Sequence, residues 1–109
     1  MADPVVQMNS IDGVYVKQML FQNLGDIMQG HLHTHNHITL LSKGGLRVTV
    51  NDQTSEFWAP QMIFIHKDNT HILEALEDGT LAYCLHAVRD ADTGDIIEGL
   101  GVPDGVSVE

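Results

Sequence analysis

Residues 30–37 read Gly30-His31-Leu32-His33-Thr34-His35-Asn36-His37, with a histidine at every second position from 31 to 37. On a β-strand, side chains two apart share a face, so these rings converge on one side. Convergent neutral imidazoles are good ligands for Fe, Ni, Cu, Zn or Mn in the +2 state. A His-rich stretch can also be an expression tag or a solvated loop, but tags are usually terminal and uniform. This run is internal and passes straight into the apolar segment Ile38-Thr39-Leu40-Leu41. A metal site is the usual use of such a cluster.

Outward from the run, no helical period is sustained over three turns. Short apolar or alternating stretches separated by turn residues predict an all-β sandwich or barrel. The expected strands are Val14–Met19, Asp26–His33, His37–Leu41, Leu46–Val50, Ser55–Trp58, Met62–His66, His71–Leu76 and Thr80–Ala87. Lys43-Gly44-Gly45 accepts positive φ, as a tight hairpin requires. Asn51-Asp52 and Glu77-Asp78-Gly79 suit Asx-type turns, and Pro60 lacks the N–H a ladder needs. Leu46, Val48 and Val50 alternate with Arg47 and Thr49, so one face of that strand is apolar and the other polar.

The glycines around the histidines add a spacing. Gly25, five residues, His31, one residue, His33, three residues, His37, six residues, Gly44 resembles the first motif of the cupin superfamily, G-x5-H-x-H-x3/4-E-x6-G. The departure is His37 at the place of the usual Glu. The family's second motif, G-x5-P-x-G-x2-H-x3-N, falls on Pro60, His66, Asp68, His71 and Ala75, where only the histidine matches. The 15 residues between Gly44 and Pro60 resemble the short spacer of small, single-domain cupins of the conserved-barrel type.

The resemblance covers residues 25 to 87. It implies a double-stranded β-helix, a jelly-roll barrel with a metal inside its wide end. Barrels of this size hold one small ligand in the mouth. The domain organisation expected is an N-terminal arm and first strand over residues 1–24, a barrel core over 25–87, and a C-terminal tail packing on the barrel over 88–109. Carried over residue by residue, the ligands of one divalent transition metal per chain are His31, His33, His37 and His71. Four neutral imidazoles leave the charge of the ion uncompensated, which makes it a stronger Lewis acid and a better host for an anionic substrate. Nitrogen donors suit Fe, Ni, Cu and Zn better than Mn or Mg, and iron is favoured.

The remaining candidates have blander readings. By strand parity His35 also faces inward, and it is the alternative ligand in place of His31 or His37. His66 belongs to the turn before His71, at the rim or surface. His86 is in phase with Ala82 and Cys84, as a hydrogen-bonded core histidine. Cys84 reads as a small buried hydrophobe, not a nucleophile. Glu74 is out of phase with His71, while the phases of Glu56 and Tyr83 stay open, so no acid/base group is marked. That slightly favours dioxygenase-like oxygen chemistry over isomerase or lyase chemistry. A non-catalytic module that binds a metal or small molecule is the other class of reading. Asp90-Ala91-Asp92-Thr93-Gly94-Asp95 imitates a calcium loop but lacks its third and twelfth ligands.

The chain has 109 residues, 15 Asp and Glu against 5 Lys and Arg, and a formal net charge of −10. Such a balance works against nucleic acid and anionic membrane surfaces as partners, because both need clustered cations. A small-molecule substrate or ligand is the expected partner. The single Cys84 permits no internal disulfide, which makes the cytoplasm the default location. Met62-Ile63-Phe64-Ile65 and Leu81–Leu85 are apolar on both faces. Their outer face is expected to be covered by a second subunit, giving a homodimer, or by the N-terminal arm or C-terminal tail.

Overall fold

The computed structural model describes residues 2–29, 36–66 and 70–87, and within them β-forming runs alternate with residues that accept positive φ. The nine strands among the described residues are β1 (Val5–Ile11), β2 (Val14–Phe21), β3 (Ile27–Gln29), β4 (His37–Lys43), β5 (Gly45–Val50), β6 (Gln53–Trp58), β7 (Gln61–Ile65), β8 (His71–Ala75) and β9 (Thr80–Ala87). They form two antiparallel sheets. One has the order β1-β2-β9-β4-β7, the other β3-β8-β5-β6. Strands adjacent in sequence seldom pair, and the crossings between the sheets produce a jelly-roll barrel of the double-stranded β-helix type.

Alternation decides which side chains fill it. From the five-stranded sheet Tyr15, Met19, Phe21, Leu41, Ile63, Ile65, Ala82 and Cys84 point inward and are buried. The four-stranded sheet answers with Leu46, Val48, Leu73 and Ala75. Arg47 and Thr49 stand on the outside of β5, as the period-2 pattern requires. Burying side chains of this size contributes about 1.5–3 kcal/mol each.

Several boundaries move relative to the sequence reading. The segment expected as an arm contains β1, which runs the length of β2 from Val5↔Leu20 to Ile11↔Val14. The hairpin is closed by Asp12 and Gly13, with φ of 49° and 80°. Two consecutive positive φ values make a type I′ turn, and Asp-Gly is its characteristic pair. Asn51 and Asp52, with φ of 48° and 69°, close β5 onto β6 in the same way.

Lys43-Gly44-Gly45 is no hairpin. It is the corner where the chain leaves one sheet for the other, since β4 and β5 belong to different sheets. Gly44 has φ of 81°, and a Cβ there would collide with the Thr80 hydroxyl. The expected strand Asp26–His33 is Ile27–Gln29 within the described residues. Asp26 precedes it, buried, and its carboxylate accepts the backbone N–H groups of Ala2 (3.2 Å) and Asn23 (3.1 Å). Strand β2 runs on to Phe21, and β6 begins at Gln53. Strand β7 ends at Ile65, before His66, and β8 at Ala75. No helix of the described residues is long and apolar enough to cross a membrane.

The outer face of the five-stranded sheet is rich in apolar groups. In register across it lie Val16, Leu85, Ile38 and Phe64, with Leu40, Tyr83 and Met62 in the next row. Phe64 and Met62 keep 53% and 73% of their surface exposed.

Candidate functional site

Two of the four expected ligands lie on described strands, and the fold brings them together. His37 opens β4 and shares the inward parity of buried Thr39 and Leu41. His71 opens β8 and shares that of Leu73 and Ala75. The strands lie in opposite sheets, and the two imidazoles meet across the barrel with ring centroids 5.2 Å apart and planes inclined by 50°. Each histidine is only 5% exposed. His31 and His33 lie outside the described residues, as do His35, the Asp90–Asp95 segment and the tail expected from Val88 onward. Among the described residues no group of three or more His, Cys, Asp or Glu side chains is placed to hold a metal ion.

The His37–His71 pair fits a metal on the chemistry of its donors. Both offer imidazole nitrogens, which bind a metal when neutral. The strand neighbours are Ile65 beside His37 and Val50 beside His71. Ala75, at the place of the family's usual Asn, is buried against Leu46 and belongs to the core.

On the other side of His37 the inner face becomes polar. Ile38 pairs with Leu85, so His37 and His86 occupy the next facing positions of β4 and β9. His86 is paired in turn with Tyr15 on β2, and their rings stack with centroids 4.5 Å apart. The His86 Nδ1 lies 2.8 Å from the carbonyl oxygen of Ala87. A carbonyl can only accept, so Nδ1 is the donor in this contact. One row deeper, Cys84 is buried with its Sγ 3.2 Å from Thr39 Oγ1, and Lys17 is its register partner on β2.

Tyr15 was not visible as a site residue in the sequence. Its relation to His86 depends on the pairing of strands some 70 positions apart, which no local pattern encodes. The carboxylates fall elsewhere. Glu56 and Glu74 flank Arg47 on the outside of the four-stranded sheet, at 3.0 and 3.2 Å. The hydrogen bonds that Arg47 donates to them, those to Glu56 foremost, hold the exposed guanidinium above its ordinary pKa. Tyr83 also faces outward, between Gln18 and Leu40. His66 is exposed, edge-on to Phe64 at 4.6 Å.

No protein-family model matches the sequence. No curated protein matches it either. Solved structures do match, at low identity. A double-stranded β-helix protein of the RmlC-like cupin family from Methanocaldococcus jannaschii superposes with a TM-score of 0.69 and 13% identity, covering 81% of this chain and 83% of its own. The structure of KdgF from a Halomonas species gives 0.64 and 20%, with 74% and 75% covered. Oxalate decarboxylase from Bacillus subtilis gives 0.63 and 18%, over 71% of this chain and 22% of that larger one. At these identities the likeness is one of fold: two antiparallel sheets wound as the cupin double-stranded β-helix.

Proposed function

We propose that this cupin-fold chain binds one divalent transition metal through His31, His33, His37 and His71, and acts there on a small oxygen-chelating substrate. The observation that supports this most is the buried meeting of His37 and His71 from opposite sheets. Those are the two described positions at which the resemblance implies ligands. A divalent ion held there supplies Lewis acidity toward an oxygen ligand and, if it is iron, reactivity with dioxygen. The chain itself supplies the nitrogen donors, the apolar wall at Val50 and Ile65 that limits water, and the Tyr15–His86 pair on the adjoining strands. With Glu56 and Glu74 turned outward, His86 and Tyr15 are the groups of the inner face suited to hold or pass a proton beside the substrate. Dioxygenase-like chemistry remains one reading, but the Tyr15–His86 pair removes the ground on which the sequence slightly favoured it and gives isomerase or lyase chemistry a candidate acid/base pair.

The test is elemental analysis of protein purified without a histidine tag or a nickel column, with anaerobic Fe(II) reconstitution in parallel. About one metal per chain is expected. Oxygen uptake with candidate chelating substrates then reads turnover. A metal held with no exchangeable position would favour the second reading, a non-catalytic binding module. Absence of metal under both conditions would overturn the site.

A further inference from the structure

The strand partners of the two histidines line a groove. Ile65, register partner of His37, and Val50, register partner of His71, both line an opening of about 360 Å³ between the two sheets at β6 and β7. These are the edge strands of the two sheets, so the barrel wall is unsealed there. The inner faces contribute Val48, Phe57 and Ile63 as further lining. Gln53 and Ser55, paired with Val50 and Val48, add an amide and a hydroxyl along the β6 side. None of the described residues lining the groove carries a charge.

We infer that this groove receives the uncharged, largely apolar body of a small substrate whose oxygen-chelating head is held at His37 and His71; the inference rests on the metal-site reading above and adds the class of molecule. The two sides of the site differ. Toward β2 and β9 stand Tyr15, Lys17 and His86, whereas toward β6 and β7 stand aliphatic side chains, the phenyl rings of Phe57 and Phe64 and neutral hydrogen-bonding groups. A charged body would lose its hydration in the groove and meet no counter-charge among these residues. An apolar body gains by leaving water, and the amide and hydroxyl can fix its orientation without demanding an ion. The volume is sufficient, since a cavity of about 150 Å³ already accommodates benzene. The groove therefore takes a single ring or a short branched chain.

The experiment uses the full chain loaded with Zn(II) or Co(II) and a series of hydroxamic acids, which present the same bidentate oxygen head on uncharged bodies of increasing length. Affinities for acetohydroxamic, butanohydroxamic, hexanohydroxamic and benzohydroxamic acid are measured by calorimetry. Each buried methylene should tighten binding roughly three- to fourfold. Hexanohydroxamic acid is thus expected to bind at least about tenfold more tightly than acetohydroxamic acid. In Ser55→Asp, an exposed edge-strand position whose replacement spares the core, that ratio should fall toward one. A flat series in protein that has taken up metal overturns the inference. Metal-free protein labelled at Val and Ile methyl groups is titrated with neutral phenylacetamide and followed by NMR. Saturable shifts at Val50 and Ile65 without any metal uptake would sustain the groove while sinking the metal reading. Shifts confined to residues away from β5 and β7 would overturn the groove whatever the metal result.

Discussion

His37 and His71 belong to different sheets, 34 residues apart in the chain, yet their rings lie 5.2 Å apart inside the barrel. Each is the first residue of its strand, so the pair sits at one end of the barrel, above a filled core of Leu41, Leu46 and Leu73. A site of this kind separates function from stability. The strand ends present the two histidines proposed as ligands, and the rows beneath them hold the sheets together.

Replacing either histidine should therefore remove metal without unfolding the chain. His71→Ala and His37→Ala are each expected to lower metal content at least about tenfold, and His33→Ala likewise, with the far-UV dichroism of a β-barrel retained. Elemental analysis of the three variants beside the parent checks this. Full metal content in His33→Ala would exclude His33 from the ligand set.

Metal retention should depend on pH in one direction. Imidazole binds metal only when neutral, and protons compete for it as the pH falls through about 6 to 7, where a free imidazole titrates. Dialysis at a series of pH values, followed by elemental analysis, should show metal lost on the acid side and kept on the alkaline side. Uniform retention down to about pH 4, below the whole imidazole range, would argue against histidine ligands.

Gly44 should resist substitution more than its place between two strands suggests. Its φ of 81° costs a side-chain-bearing residue about 1–2 kcal/mol, and the Thr80 hydroxyl occupies the space a Cβ would need. Thr80 is itself committed, accepting the Gly45 N–H at 3.3 Å and donating to the Glu77 carbonyl at 2.8 Å. Gly44→Ala should lower the denaturant midpoint clearly, with the slope unchanged.

Arg47 should behave oppositely. Glu56 and Glu74 raise its pKa, so wherever those carboxylates are ionised its ion pairs persist through neutral and moderately alkaline pH, and on the alkaline side they are lost only as pH rises through the raised value. Arg47→Gln is expected to lower the melting temperature slightly, by the same amount at about pH 6 and about pH 9. The effect should shrink in about 1 M salt, because the guanidinium is exposed.

The apolar outer face of the five-stranded sheet should bring two chains together. Phe64 and Met62 stand exposed in the same rows as Ile38, Leu40 and Leu85, a surface that water disfavours and a second copy can cover. Light scattering is expected to give twice the chain mass at micromolar concentration, and Phe64→Lys to give the single mass. A monomer in the parent protein at high micromolar concentration would refute this.

Strand positions were largely legible because burial writes itself into a sequence with period two. Thr80–Ala87 was read to the residue, and Leu46–Val50 within one, its outward Arg47 included. The mixed polarity of Val5–Ile11 hides the hairpin of β1 and β2 from the sequence in spite of its Asp12-Gly13 turn: β1 is an edge strand with one half-buried face. The corner at Gly44 was misread as a hairpin, since positive φ is a local property and the choice of sheet is not.

By itself the sequence determined the strand alternation, the glycine at 44 that takes positive φ, and the histidine spacing on which the proposed site rests. Only the tertiary structure decided what stands beside what. It placed His71 against His37, Tyr15 against His86, Glu56 and Glu74 outside on Arg47, and Val50 and Ile65 along an open groove. The reason is that strand periodicity is fixed by neighbours one and two residues away, whereas pairing across sheets is fixed by which buried surfaces fit once the whole chain has closed.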